Sequence, residues 1–173
     1  MNGKLLSVGA ALLLISSVAY AEVTTSELHG HKVPNLAKSV LEHRINSKLL
    51  AEARKNQCVF KTDTDSLAPG CDAKMKHLAS TIIEAKKELS ESGITAYKFE
   101  VSAHTESGRN ATWSKELSER RADVIVKELV ERGVPRDEII ATGMGGEQPL
   151  VSPDDTPAKK AKNRRYELRL RMK

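Results

Sequence analysis

A carboxylate and a guanidinium near the middle of the chain have the types and spacing needed to bind a ligand that carries both charges. Glu106 lies in a loop rich in Gly, Asn and Ser, after a strand-like alternation, and Arg121 lies roughly two turns into the helix predicted to follow. A carboxylate receives an ammonium, and an arginine fork receives a carboxylate through paired N–H donors. The pair therefore predicts a site for a zwitterionic ligand. An exposed ion pair worth about 0–1 kcal/mol is the simpler alternative.

The residues around Glu106 do not form a recognisable catalytic set. His104 precedes Glu106 by two positions, so both side chains would point the same way along a strand. No recognisable Ser or Cys nucleophile and no set of metal ligands accompanies these two residues in the sequence. His29 and His31 are metal-ligand types, but we interpret them as part of a solvated loop. We therefore expect no enzyme activity, no cofactor and no metal.

The elements that must position this pair follow from apolar periodicity. Residues 97–103 alternate strictly, which predicts a half-buried strand, and other segments repeat apolar residues at helical spacing. The predicted helices cover 35–55, 72–91, 114–132 and 156–162, and the predicted strands cover 58–61, 97–103, 139–144 and 166–172. Interleaved strands and helices, with a polar outer face on the last strand, predict a two-layer α/β sandwich with the helices on one face of the sheet.

The first 21 residues have the pattern of a secretory signal peptide. Lys4 precedes an apolar run, and Ala19-Tyr20-Ala21 is a small-x-small cleavage signal, so we expect the mature chain to begin at Glu22. The run is shorter than a membrane-spanning helix requires, which makes a retained anchor the weaker alternative. We expect a periplasmic protein with no membrane span after cleavage, divided into a signal peptide (1–21), a polar leader with an amphipathic helix (22–56) and a folded domain (57–173).

The net charge limits the classes of partner, and the cysteine content indicates the redox state of the two thiols. The formal net charge is +5 and the pI about 9.2, but export to the envelope argues against nucleic acid as the partner. Cys58 and Cys71 are the two cysteines, and an oxidising compartment favours a disulfide between them. Two free thiols or an intermolecular bond are the alternatives.

The segment 35–55 is predicted to be an amphipathic helix with Asn35 as its cap. Its apolar positions fall on one face and comprise Leu36, Val40, Leu41, Ile45 and Leu49. This face either packs on the folded domain, which we favour, or docks on a partner protein of the envelope.

Five sequence pieces occur in the order of a known family. In chain order they are VFKTDTDSL, HTESGRNATW, SKELSERRA, ATGMGGEQP and Asn163-Arg164-Arg165. Together they resemble the peptidoglycan-binding domain found at the C-terminus of OmpA and in Pal and MotB proteins. The resemblance implies an α/β fold of βαβαβ type with a mixed sheet. It also implies non-covalent binding of peptidoglycan through the meso-diaminopimelate side chain of the stem peptide.

The resemblance also assigns site residues. The family's acidic and arginine ligands fall on Glu106 and Arg121. Its other motif positions fall on Thr62, Asp63, Thr105, Ser114 and Arg165. Glu106 replaces the usual Asp, and Ser114 replaces the usual Asn. These departures keep a second hypothesis open, in which the protein is a structural or assembly subunit of a flagellar, secretion or pilus system and uses residues 35–55 to contact its partner.

Overall fold

The computed structural model describes residues 35–173. The predicted signal peptide, the leader up to Pro34, and both His29 and His31 lie outside the described residues. Among the residues it does describe, no helix is both long and apolar enough to cross a membrane.

Four helices and three strands make up the described chain. In chain order they are α1 (Asn35–Lys55), α2 (Asp72–Glu91), β1 (Tyr97–Ala103), α3 (Ala111–Val130), β2 (Ile139–Gly143), α4 (Pro157–Asn163) and β3 (Tyr166–Met172). The strands form one sheet in the order β2-β1-β3, in which β1 runs parallel to β2 and antiparallel to β3. The predicted mixed sheet is therefore confirmed.

The two faces of the sheet differ because the strand residues alternate. Phe99 and Val101 on β1 are at most 1% exposed and join the apolar core, against which α1 and α3 pack, while α2 lies against those two helices. The opposite face is largely charged: Glu100 pairs with Arg171 at 2.6 Å, and the neighbouring residues of β3 on this face are charged as well, while Ile140 of β2 is 42% exposed there. This arrangement confirms the predicted two-layer sandwich with helices on one face.

Helix α1 has the predicted bounds but a narrower buried stripe than expected. Leu41, Ile45 and Leu49 are buried, whereas Leu36 and Val40 are 78% and 60% exposed. The prediction for these two was wrong because the buried stripe follows a strict spacing of four residues up to Ala53. Positions 36 and 40 lie off that line, in the first turns of the helix.

Polar side chains of α1 and of the segment directly after it also cover the outer edge of β3. Asn46 donates to the carbonyl of Leu170 at 3.1 Å and accepts from its N–H at 2.7 Å. Gln57 does the same for Tyr166, at 2.8 and 3.1 Å. These side-chain amides satisfy backbone groups that an edge strand would otherwise leave open. Helix α1 is therefore part of the same packed body as the sheet.

The predicted strand at 58–61 is not formed. Only an isolated antiparallel bridge joins Phe60 and Leu67, within a turn closed by a hydrogen bond from the Lys61 N–H to the Ser66 carbonyl at 2.8 Å. The edge of β3 that a further strand would use is already occupied by the side-chain amides of Asn46 and Gln57. The segment after Cys58 therefore becomes a loop.

The predicted disulfide between Cys58 and Cys71 is confirmed, and it closes this loop over a sequence separation of 13 residues. Because a cross-link of that size restricts the unfolded chain, replacing both cysteines with alanine is expected to lower the free energy of unfolding by about 3 kcal/mol. Urea titration of the oxidised parent and the double variant measures this difference. Equal midpoints would show that the loop is held by its other contacts alone.

Helix α3 begins three residues earlier than the predicted Ser114. Asn110 caps it: its side-chain oxygen accepts the N–H of Trp113 at 3.0 Å. The prediction overlooked Asn110 as the N-cap. Asn is a preferred residue at this position because its side-chain oxygen accepts a free N–H of the first turn. The earlier start places Arg121 in the middle of the helix, on its buried side.

Candidate functional site

A pocket of about 570 Å³ opens at the end of the sheet where β1 leads into α3. Its walls come from four parts of the chain: the C-terminal end of α1 with the disulfide loop, the loop after β1, the inner side of α3, and the junction of α4 with β3. Six cationic side chains and two acidic ones line it, among apolar residues such as Phe60 and Leu117. Its charge balance is therefore strongly positive.

Glu106 lies at the base of this pocket and is 8% exposed. Both of its carboxylate oxygens are hydrogen-bonded: Oε1 accepts from Arg109 Nε at 3.1 Å, and Oε2 accepts from Arg164 at 2.7 Å. Burial acts to raise the pKa of Glu106, but the hydrogen bonds and charges of Arg164 and Arg109 outweigh it and hold the pKa below its usual value. The side chain is thus ionised at neutral pH.

Arg121 is only 5% exposed, yet its guanidinium is not paired with Glu106. Its Nε donates to the Thr64 carbonyl at 2.8 Å, and the guanidinium lies 4.8 Å from the centre of the Phe60 ring. Among the residues that the structure describes, its two terminal nitrogens have no hydrogen-bond acceptor. Burial lowers the pKa of Arg121, with the Glu106 charge opposing that effect. The free end of this fork can receive an anion.

Arg109 connects three features of the pocket. It donates to Asp63 at 2.7 Å as well as to Glu106, and its guanidinium lies 4.9 Å from the ring centre of Trp113. Trp113 is only half-buried and lines the pocket beside Arg109. The early start of α3 is the reason, since it turns Trp113 into a residue of the first helical turn.

A second network holds the Glu106 loop in place. Asp154 accepts the Ser107 N–H at 2.8 Å and the Ser107 hydroxyl, and it also accepts from Asn163 at 2.9 Å. The same hydrogen bonds, those of Ser107 first, lower the pKa of Asp154 to about 2. Asn163 is fully buried and directly precedes Arg164. The network therefore ties the loop that carries Glu106 to the turn that carries its partner Arg164.

Six of the seven residues assigned by resemblance line this pocket: Thr62, Asp63, Thr105, Glu106, Arg121 and Arg165. The Arg165 side chain is already paired, because its Nε donates to Glu167 at 2.8 Å. Ser114 does not line the pocket, contrary to its assignment. It is 2% exposed on the side of α3 that faces the backbone of Gly145.

Sequence reasoning missed Arg109 as a site residue and assigned Arg165, not Arg164, to the site. Arg109 follows Gly108, whose φ of +83° turns the loop back toward Glu106. The three-residue spacing between Glu106 and Arg109 gave no indication of that turn. Both Arg164 and Arg165 were visible in the sequence. Strand alternation could not tell which of them faces the pocket, because β3 begins only at Tyr166.

His104 is 3% exposed, and neither ring nitrogen has a hydrogen-bond partner in the described structure. Burial, with the nearby charge of Arg165, lowers its pKa from 6.5 to about 4. As the pH falls, His104 is therefore protonated in the unfolded chain before it is protonated in the folded one. The free energy of unfolding should decrease as the pH drops from about 6.5 to about 4, by up to about 3 kcal/mol.

The His104→Leu variant tests this assignment. It should retain the stability of the parent at pH 7 and lose less of it between pH 7 and pH 4.5, as measured by urea unfolding at both values. Carboxylates distant from position 104 titrate equally in both proteins, so the difference between them reports His104 together with its charge interaction with Glu167. The same pH dependence in both would contradict a buried neutral imidazole.

Comparison with known proteins follows the same part of the chain. The model of the OmpA family matches residues 59–164, more than half of the chain. Outer membrane porin F of Pseudomonas fluorescens is 32% identical over 108 residues, which is 62% of this chain but 30% of the porin. The chain therefore spans less than a third of that relative.

Two solved structures share the fold. The peptidoglycan-associated lipoprotein of Burkholderia pseudomallei has a TM-score of 0.56 at 19% identity, covering 69% of this chain and 93% of that one. The C-terminal domain of Helicobacter pylori MotB has a TM-score of 0.53 at 20% identity, covering 68% and 84%. The matched residues contain the whole Glu106 loop and α3, and on this sequence match the chain belongs to the OmpA family.

Proposed function

We propose that the protein binds peptidoglycan non-covalently through the meso-diaminopimelate stem peptide and acts in the periplasm as a cell-wall anchor or scaffold. The observation that carries the proposal is the Arg121 fork, which is buried yet open toward the same pocket as an ionised Glu106. A ligand carboxylate would bind to the terminal nitrogens of Arg121. The ligand's ammonium would lie toward Glu106.

Membership in the OmpA family and the fold shared with a peptidoglycan-associated lipoprotein support this proposal. The pocket fits a peptide because its walls combine apolar side chains with a few converging charged groups. The residues lining it offer no recognisable nucleophile with a base, so binding without bond cleavage is the function that the geometry favours.

Co-sedimentation with purified meso-diaminopimelate sacculi tests the proposal. We expect the mature protein to pellet with sacculi and both Glu106→Ala and Arg121→Ala to remain largely in the supernatant. Full binding by both folded variants would refute this pocket as the binding site.

The exposed start of α1 supports a second function, that of a subunit in an envelope assembly. Leu36 and Val40 offer apolar surface beyond the packed body. Deleting α1 would not test this idea, because the helix also buries Leu41, Ile45 and Leu49 in the core. The double variant Leu36→Glu/Val40→Glu leaves that core intact. Loss of a co-purifying envelope protein from this variant, with sacculus binding retained, is the expected result; unchanged partners would contradict it.

A further inference from the structure

Two exposed cations in the pocket wall have no carboxylate partner. Arg54 and Lys162 line the pocket and make no ion pair with any residue that the structure describes. Arg121, the other lining cation without an ion pair, receives a ligand carboxylate in the proposed function. The lining cations that carboxylates of the protein already engage are Arg109, Arg164 and Arg165. Arg54 and Lys162 are therefore still free when Arg121 has bound its ligand group.

The end of α1 and the junction of α4 with β3, which carry these two cations, are held against each other. Gln57, just after α1, accepts the Tyr166 N–H at 3.1 Å and donates to the Tyr166 carbonyl at 2.8 Å. The same side chain donates to the Ala53 carbonyl at 2.7 Å, which fixes it on the last turn of α1. Arg54 follows Ala53, and Lys162 lies in the last turn of α4. The two cations therefore belong to one continuous part of the wall.

No carboxylate of the described pocket lining is available to neutralise this part of the wall. Glu106 is engaged by two arginines at 2.7 and 3.1 Å, and Asp63 by one at 2.7 Å. Like charges that share a wall without a counter-charge repel each other, and an anion that binds there removes the repulsion. This part of the wall is therefore suited to a negative group of the ligand.

The two cations differ from Arg121 in their depth in the pocket. Arg121 is 5% exposed, whereas Arg54 and Lys162 are both exposed, so they lie nearer the mouth. A ligand whose end group reaches Arg121 passes this mouth as it leaves the pocket. In a stem peptide, the residue before diaminopimelate is a glutamate joined through its γ-carboxyl group, so its α-carboxylate is free. That carboxylate is the ligand group expected at the mouth.

We infer that Arg54 and Lys162 form a second anionic subsite at the mouth of the pocket, which binds the α-carboxylate of the stem-peptide glutamate. The inference rests on the proposed function and extends it by one residue of the peptide. Arg54 precedes residues 59–164, the part of the chain that matches the OmpA family, so the subsite uses a helix from outside that match. Because both cations are exposed, the contact should change the affinity by about fivefold, and salt should weaken it.

Two synthetic tripeptides that end in meso-diaminopimelate isolate this contact. One contains γ-linked D-glutamate with its free α-carboxylate, and the other contains D-isoglutamine, in which an amide replaces that carboxylate. Isothermal titration of the mature protein with each peptide in low-salt buffer gives the two dissociation constants. We expect the parent to bind the glutamate peptide about fivefold more tightly than the amidated peptide.

The double variant Arg54→Gln/Lys162→Gln should bind both peptides with equal affinity, because the group that distinguishes them has lost its partners. The matched control is Lys55→Gln/Lys160→Gln, which removes two charges from the same two helices at positions that do not line the pocket. The control should retain the fivefold preference, which would exclude net charge as its cause. Thermal unfolding verifies that both double variants are folded.

Three results would each overturn the inference: equal binding of the two peptides by the parent, a preference that survives in the variant of Arg54 and Lys162, or a preference that the matched control loses. Pelleting with sacculi scores the proposed function separately. A parent that pellets and binds both peptides equally retains the proposed function without the second subsite. A parent that binds neither peptide loses both.

Discussion

Arg121→Ala is expected to weaken binding of a soluble stem tripeptide ending in meso-diaminopimelate by at least about 30-fold, or about 2 kcal/mol, since it removes charge-assisted hydrogen bonds to the ligand. The terminal nitrogens of Arg121 are the free donors of a side chain that the protein otherwise holds rigidly between Thr64 and Phe60. Rigid positioning matters, because the fork need not be ordered when the ligand binds. Isothermal titration with the parent and the variant measures the loss.

Two companion variants distinguish the fork from its charge and from general electrostatics. Arg121→Lys keeps the positive charge but loses the paired geometry, so we expect most of the affinity to be lost there as well. Arg120→Ala removes a half-exposed arginine whose nearest carboxylate, Asp65, lies 3.9 Å away, and it should bind like the parent. Equal losses in the variants at 120 and 121 would show that only the net charge of the surface matters.

Gly143→Ala is expected to be the most destabilising small substitution at the site, lowering the free energy of unfolding by about 3 kcal/mol. A Cβ at this position would lie 2.5 Å from the backbone nitrogen of Glu119 and 2.8 Å from the carbonyl of Lys115, both on α3. A backbone contact cannot relax by a rotamer change, so α3 must move away from β2. Since α3 carries Arg121, ligand binding should weaken along with stability.

Gly93→Ala provides the control for this prediction. Gly93 has a φ of +68° but nothing within 4 Å of an added Cβ, so its substitution should cost about 1 kcal/mol from backbone strain alone. Urea unfolding of both variants compares the two effects. A Gly143 variant no less stable than the Gly93 variant would mean that α3 and β2 are not in the close contact described.

The fold was largely predictable from the sequence because its signals are local. Alternation at Tyr97–Ala103 and helical spacing at Asp72–Glu91 gave those elements their observed bounds. The failures depended on contacts distant in sequence. The expected strand after Cys58 is absent because Asn46 on α1 and Gln57 just beyond its end satisfy the edge of β3 with their side chains. No local pattern in the sequence indicates that competition.

The site was predictable in its location and incomplete in its chemistry. The motif brought Glu106 and Arg121 into one pocket, as expected from their spacing. What it did not reveal is that Arg109 and Arg164 occupy the carboxylate. The position of Arg109 depends on the loop turned by Gly108, and that of Arg164 on the hydrogen bonds through Asp154. Both positions therefore arise from tertiary geometry and not from residue spacing.

Release of the protein from sacculi by a soluble stem peptide tests the central claim most directly. The mature protein would be pelleted with meso-diaminopimelate sacculi, with and without an excess of the free tripeptide that ends in meso-diaminopimelate. Our account predicts that the protein pellets alone and returns to the supernatant when the tripeptide competes for the Arg121 pocket. A folded protein that never pellets, or one that stays with the sacculi at saturating tripeptide, would contradict it.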